Sequence, residues 1–332
     1  MSKIICIGSA CKDVFFPTAE GKIVETPEDI LSKQKIEFEL GAKYKIEDRF
    51  EALGGCAANV AVGLARLGIS TECYAHIGND YIADWILNEL QKNKVETNLI
   101  SKDKNFTSDM SAIVVDKKTG ERVIFSNQKA NGNLKIIPEK IEGAEWIFIG
   151  DLHGNWQRHL DLIFNVAQKH KIKLAYNPRQ INIHDDSKKV IEKIVGTEIL
   201  FVNKDEAIEI ILSVNNKKID DEKYLLQELK NLGAKIVVIT DGARGAWAND
   251  GEKTFFASGL KVSAVDSTGA GDAFCSGFLG ARIKGKNLEE CLKWGIINSS
   301  NEVQFYGAVD GLLNEDEIIK LVDGIKVEKV VI

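Results

Sequence analysis

Seven consecutive residues, Asp266, Ser267, Thr268, Gly269, Ala270, Gly271 and Asp272, concentrate the chemistry of this chain. They leave the apolar run Leu260–Val265, pass two glycines and enter an amphipathic helix expected from about Ala270 to Ile283. Glycine admits backbone paths that a side chain would block. The amides that follow are the unpaired donors of a helix start, where anions are stabilised. Asp272 falls in that first turn, so a carboxylate adjoins a cradle suited to phosphate oxygens. An anion cradle with a base beside it suits phosphoryl transfer to a hydroxyl. The same residues would also make a plain Gly-rich turn whose aspartates cap a helix.

Three other clusters bear on that choice. Gly54, Gly55 and Asn59 open a helix, and the double glycine lets a substrate approach the backbone while Asn59 offers donors and an acceptor to hydroxyls. Asp13 follows the first strand, at the end of the sheet where α/β proteins bind ligands, and one carboxylate can accept two hydroxyls of a polyol. Asn203 and Glu206 have the spacing of a capping box at a helix start. Thr240, Gly242 and Gly245 follow a strand, and by themselves read as a tight turn into a hairpin over Ala246–Asn249. Asn177 and Arg179 follow another strand and could reach phosphate or sugar. Gly280, Gly285 and Lys286 have P-loop spacing, but Asn287 stands where Ser or Thr would hold a metal, and the segment ends a helix. No G-x-G-x-x-G run is completed at Gly269, Gly271 and Phe274, which disfavours a dinucleotide-dependent oxidoreductase.

The elements that must position these residues alternate. Strands are expected at Lys3–Gly8, Thr71–Ile77, Trp146–Gly150, Ile172–Tyr176, Ile199–Val202 and Lys235–Thr240. Helices are expected at Cys56–Leu67, Asp80–Asn93, Trp156–His170, Lys204–Leu212, Asp221–Leu232, Ala270–Ile283 and Leu288–Phe305. That order is an α/β fold with a mostly parallel central sheet. Two stretches break it: Phe15–Phe50, charged and poorly periodic, and Ser111–Val115 with Arg122–Ser126 around a Lys117–Gly120 turn, a hairpin signal. Both suggest a small β appendage, either a lid or a decorative edge.

With 332 residues the chain can bury a large core, and 44% hydrophobic with 28% charged residues is ordinary globular composition. A net charge of −6 without a basic cluster argues against nucleic acid as a partner. The short apolar start suits neither a signal peptide nor a membrane span. Six cysteines form no C-x-x-C pair, which fits a reducing, cytoplasmic setting, and the five histidines show no zinc spacing.

The run Asp266–Asp272 resembles the D-T-x-G-A-G-D signature of the ribokinase-like (PfkB) carbohydrate kinases, with Ser267 at the usual first Thr. Gly54, Gly55 and Asn59 resemble the family's G-G-x-x-x-N element, Asn203 and Glu206 its N-x-x-E element, and Thr240, Gly242 and Gly245 its T-x-G-x-x-G nucleotide loop. Cys56 occupies the place where ribokinases and many kinases of phosphorylated sugars have Lys, which tilts the resemblance towards an unphosphorylated acceptor. The resemblance implies a single ribokinase-like domain over residues 1–332, a three-layer sandwich with a small β lid made by segments of about 15–50 and 107–130. It implies ATP and Mg²⁺ as cofactors, with a monovalent cation such as K⁺ beside the Asp266 loop. Asp272 would be the general base, Gly269, Ala270 and Gly271 the anion hole, and Asp13, Gly54, Gly55 and Asn59 the acceptor site. Asn203, Thr240, Gly242 and Gly245 would bind nucleotide, Glu206 would organise the metal, and the lid would pair two subunits. The acceptor would be a small sugar or sugar acid. Alternatives are a nucleoside kinase, for which Phe15, Phe16 and Trp156 are candidate base platforms, and a catalytically silent sugar- or nucleotide-binding regulator.

Overall fold

In the strand Ile4–Ile7, successive residues serve opposite cores: Ile4 and Cys6 join one apolar cluster, Ile5 and Ile7 the other. The same alternation runs through Trp146–Ile149 and Ile236–Thr240, as the two-residue period of a strand requires when both faces are covered. These strands belong to a nine-stranded sheet in the computed structural model, which describes residues 4–26, 34–120 and 122–331. Lys3, residues 27–33 of the expected lid segment, and residue 121 lie outside the described residues.

Six strands are parallel, in the order Ile236–Thr240, Ile199–Asn203, Lys173–Tyr176, Trp146–Ile149, Ile4–Ile7 and Thr71–Tyr74. Three antiparallel strands, Gly245–Asn249, Thr254–Ser258 and Val327–Val330, extend the Ile236–Thr240 edge. The helices Cys56–Arg66, Tyr81–Lys92, Ala270–Ile283 and Leu288–Glu302 pack on one face, and Trp156–His170, Gln180–Ile194, Lys204–Asn215 and Glu222–Asn231 on the other. Sheet between two helical layers is the three-layer sandwich that the resemblance implies.

Helix Gln180–Ile194 lies outside the sequence expectations, and the reason is local. It is two helical pieces joined at Asp186, whose backbone leaves the helical region (φ −153°, ψ 80°) and whose side chain accepts from the Lys189 amide at 3.0 Å. A capping aspartate in mid-helix imitates a boundary.

The two irregular stretches do form a separate small sheet. Its order is Arg122–Ser126, Met110–Asp116, Cys11–Thr18 and Phe50–Gly54, with Phe15, Ala52, Ile113 and Val115 buried in a minor core. Asp13, which follows the first strand, therefore lies within a strand of this small sheet. A further ribbon pairs Lys22–Glu25 with Gln34–Glu37.

Candidate active site

Asn59 lies in the first turn of the helix Cys56–Arg66 and Asp272 in the first turn of Ala270–Ile283. One turn further on, Gly63 meets Ser276 so closely that a Cβ on Gly63 would fall 2.2 Å from the Ser276 hydroxyl. That contact brings the two helix starts together, and the Asn59 amide donates to Asp272 Oδ2 at 2.9 Å. Arg179, just before Gln180–Ile194, donates to Asp272 Oδ1 at 3.1 Å. The candidate base is thus 4% exposed, with both carboxylate oxygens engaged. Asn59 Oδ1 is left buried without a hydrogen-bond partner, an acceptor beside the base.

The glycines of the candidate cradle shape the start of the helix. Gly269 takes the left-handed conformation (φ 92°) and caps the helix, a position that favours glycine. Helix geometry leaves the amides of Gly271 and Asp272 without an acceptor in the preceding turn. A Cβ on Gly271 would meet nothing within 4 Å, so the cradle faces open space. Below it, Asp266 accepts from the amides of Thr268 at 2.9 Å and Gly307 at 3.2 Å, which shapes the loop.

Asp13 packs against Gly54, where a Cβ would fall 2.2 Å from its carboxyl, and a Cβ on Gly55 (φ 94°) would fall 2.6 Å from the Ser9 carbonyl. The close approach that the double glycine allows is therefore made by the chain itself. Burial pushes the Asp13 carboxyl above its ordinary range; hydrogen bonds from Ser111 and Cys11 pull it back, while the charges of Asp266 and Asp272 add to the rise. A second carboxylate in this neighbourhood, Asp151, escaped the sequence reading, although its place after the strand Trp146–Ile149 could have flagged it. It accepts from the Ser9 amide at 3.1 Å and from the Ser9 hydroxyl. Burial opposes its charge, but His153, Arg179 and Ser9 outweigh burial and hold the carboxyl below its ordinary range.

The nucleotide candidates gather at the neighbouring strand ends. Asn203 and Thr240 are paired in the sheet register, and with Gly242 they line a polar pocket of ≈ 220 Å³ together with Lys204, Asp241 and Arg244. Gly242 (φ 50°) has open space where a Cβ would be. Gly245 (φ 120°) does not: a Cβ there would fall 2.0 Å from the Ala257 carbonyl, so this glycine serves the hairpin Gly245–Asn249 with Thr254–Ser258. Glu206 and Asn203 form the capping box, each side chain accepting from the other's amide at 2.8 Å. Burial pushes the Glu206 carboxyl up, with the Asn203 amide and Arg179 acting against that rise.

Glu302 was not anticipated either. It ends the helix Leu288–Glu302, seven residues on from Gly295 and fourteen from Leu288, spacings that place it on the buried face. It is 0% exposed and neither oxygen has a partner. Burial, with the charges of Asp266 and Asp272, pushes its pKa to about 10. Of the aromatic candidates, Phe15 is enclosed in the minor core and Trp156 is 4% exposed with its indole N–H donated to Asp185; Phe16 stays half-buried.

Comparison with known proteins bears on the family and the fold. The pfkB family carbohydrate kinase profile matches residues 1–313. The ATP-dependent 6-phosphofructokinase of Thermoanaerobacterium thermosaccharolyticum is 24% identical over 297 residues, covering 87% of this chain and 90% of that protein. A nucleoside kinase of Methanocaldococcus jannaschii is 25% identical over 321 residues, 96% of each chain. The ribokinase structure of Thermotoga maritima shares the fold with a TM-score of 0.78 at 20% identity, over 97% of this chain and 100% of that one. The chain belongs to the pfkB family of carbohydrate kinases, phosphotransferases that act on alcohol groups.

Proposed function

We propose that this kinase transfers the γ-phosphoryl group of ATP to a hydroxyl of a small sugar or sugar acid that carries no phosphate, with Asp272 as general base. The observation that carries the reading is a carboxylate in the first turn of the cradle helix, oriented by Asn59 and Arg179. An alcohol attacks poorly until its proton is leaving, and a positioned base contributes typically about 10²–10⁴-fold. The amides at Gly269, Ala270 and Gly271 stabilise charge developing on the transferred group. Arg179 leaves Asp272 for the phosphoryl oxygens as the base takes up its proton, so the site's charge stays balanced through the transfer.

Asp13 and Asn59 orient the acceptor, against the turn at Gly54 and Gly55. This wall is rich in acceptors, Asp13, Asp151 and the unpartnered Asn59 Oδ1, which suits hydroxyl donors and repels an added phosphate. Asn203, Thr240 and Gly242 form the nucleotide end, and Gly245 shapes the hairpin that follows them. Mg²⁺ fits here only sparsely. Among the described residues no group of three or more His, Cys, Asp or Glu could hold a metal; Asp205, Asp220 and Asp241 line the nucleotide pocket, and Glu206 is buried and already caps its helix. Bound with ATP, Mg²⁺ supplies charge neutralisation on the phosphates, and Glu206 would hold its waters.

The small sheet would act as the lid that keeps water from ATP. Its edge strand Arg122–Ser126 exposes Val123, Ile124 and Phe125, which supports pairing of two subunits through the lid. No helix among the described residues is long and apolar enough to cross a membrane, in keeping with a cytoplasmic enzyme on a small-molecule substrate.

A nucleoside acceptor is the second reading, favoured by the M. jannaschii relative that spans 96% of the chain. Measuring ADP release across free sugars, sugar acids, sugar phosphates and nucleosides, with Asp272→Asn as control, separates them. Turnover on free sugars or sugar acids that the variant loses supports the proposal. Preference for nucleosides moves the acceptor assignment. Acceptor-dependent turnover that survives in the variant removes Asp272 from the role of base.

A further inference from the structure

One ammonium at the nucleotide end is surrounded by three carboxyl groups. Lys204, the first residue of the helix Lys204–Asn215, pairs with Asp220 and with Glu222 at 2.7 Å, and lies 4.0 Å from Asp241. Its side chain is 11% exposed and lines the pocket beside Asn203, Thr240 and Gly242. Arg244 shares two of these partners, pairing with Asp241 and lying 3.6 Å from Glu222. Two cations thus face three carboxylates, so a polyphosphate entering this pocket meets an excess of negative charge. Like charges brought together cost affinity.

The three carboxylates are not anchored alike. Glu222 opens the helix Glu222–Asn231, and Asp241 belongs to the loop between Thr240 and Gly242, where Arg244 folds back on it. Asp220 is carried by the connection between two helices, residues 216–221, and its side chain is 68% exposed. Among the described residues, Lys218, Ile219 and Asp220 make no backbone hydrogen bond. The connection is tied at one end by Asn215, which accepts from the Lys217 amide at 3.1 Å, and at the other by Asp221, which caps the next helix. A segment with so few bonds opens at low cost. An ammonium has three donors and no acceptor, so without Asp220 it stays held by Glu222 and keeps a donor for a phosphate oxygen.

We propose that Asp220 is a tethered competitor of the nucleotide: it takes the Lys204 ammonium whenever the phosphates of ATP do not, and the phosphates displace it on binding. Lys204 is then a nucleotide-positioning residue, and the 216–221 connection opens as ATP enters. The inference rests on the assignment of this pocket to the nucleotide. Exchange of one anion for another keeps Lys204 neutralised in both states. The departure of Asp220 removes one of the negative charges that the phosphates would otherwise meet. The competitor therefore holds ATP affinity below what the pocket alone would provide.

Calorimetric titration with ATP and Mg²⁺ tests this on the wild type, Asp220→Asn, Lys204→Met and the double variant. Asp220→Asn should tighten ATP binding about two- to fivefold, since an exposed ion pair no longer has to be broken. A purely structural role for the pair predicts the opposite sign or no change. Lys204→Met should weaken binding about tenfold, the loss of a charge-assisted hydrogen bond. Adding Asp220→Asn to Lys204→Met should give little further gain, because the competition needs the ammonium. A second readout follows the connection itself: tryptic cleavage after Lys217 and Lys218 should quicken when ATP is added to the wild type, and be fast without ATP in Asp220→Asn. Unchanged or weaker binding in Asp220→Asn, an equal gain with and without Lys204, or protection of the connection by ATP overturns the proposal and leaves the nucleotide assignment standing. If ATP binds to none of the four proteins, that assignment falls and the competition falls with it. Neither readout uses an acceptor, so a wrong acceptor leaves the test intact.

Discussion

The two ends of the candidate site are built by opposite means. At the transfer end, Asp13, Asp266, Asp272 and Glu302 are each 5% exposed or less, and the side chains that touch them are fixed by helix packing and glycine contacts. At the nucleotide end, ion pairs of Lys204 with Glu222 and of Arg244 with Asp241 rim an open pocket, and the Arg244 side chain is 62% exposed. The difference suits the tasks proposed for the two ends. Moving a proton at neutral pH needs groups whose environment is held constant, which means burial. Holding a polyphosphate needs positive charge and amides in reach, and exposed groups supply these while the ligand comes and goes. Buried carboxyl groups therefore collect at one end of the candidate site and exposed ion pairs at the other.

Breaking the buried end should cost most. Asp272→Asn keeps the shape and removes the base, so kcat should fall by about 10²–10⁴-fold while the KM for ATP moves little. Steady-state kinetics on the acceptor found in the panel checks this, and an equal rise in both KM values with kcat intact would place Asp272 in binding instead.

Gly63→Ala tests the spacing of the two helices without touching the site. The added methyl would press on Ser276, which is buried and bonded to the Ala273 carbonyl at 2.9 Å and to Asn298 at 3.1 Å. Overpacking of this kind costs about 1–3 kcal/mol, reduced by the roughly 1 kcal/mol that alanine adds in a helix. Denaturation should show a modest loss of stability, and kcat should drop more than either KM because Asn59 and Asp272 are pushed apart.

Glu302→Gln sharpens the comparison through pH. The folded protein holds the Glu302 proton up to a pKa of about 10, against an ordinary value of 4.5. Between those values the native state binds more protons than the unfolded chain, so stability falls as pH rises through that window. Melting temperature followed from pH 5 to pH 9 should decline in the wild type and decline less in Glu302→Gln. Parallel curves would mean that Glu302 does not titrate as its burial implies.

The smallest effect is expected at the exposed end. Arg244→Ala removes a surface pair of the kind worth about 0.2–1 kcal/mol, so stability should hold while the KM for ATP rises a few-fold with kcat unchanged. A large fall in kcat would show that Arg244 acts on the transferred group and that the contrast between the two ends is drawn in the wrong place.

The layered fold was legible because period and punctuation agree. Helices Trp156–His170 and Ala270–Ile283 match their expected bounds, and most central strands shift by a residue at their ends, while the strand expected at Thr71–Ile77 stops at Tyr74 and a separate short strand follows at His76–Gly78. Where local signals compete, legibility fails: Asp186 mimics a helix start inside Gln180–Ile194, and the strand that carries Asp13 was not anticipated because its partners are distant in sequence.

The sequence by itself determined the family and most of the alternating strands and helices, because each is written in residues that are neighbours along the chain. Glycine conformations, helix starts and apolar periods are local properties. Only the tertiary structure decided which groups share an environment. Arg179 meets Asp272 across 93 residues and Asn59 meets it across 213; Arg122 reaches Ser267 across 145. The lone carboxyl of Glu302 became visible only once Asp266 and the cradle were packed over it. Burial and charge act through space with no regard for sequence separation, so the groups that tune this site are set by packing between elements that no local pattern connects.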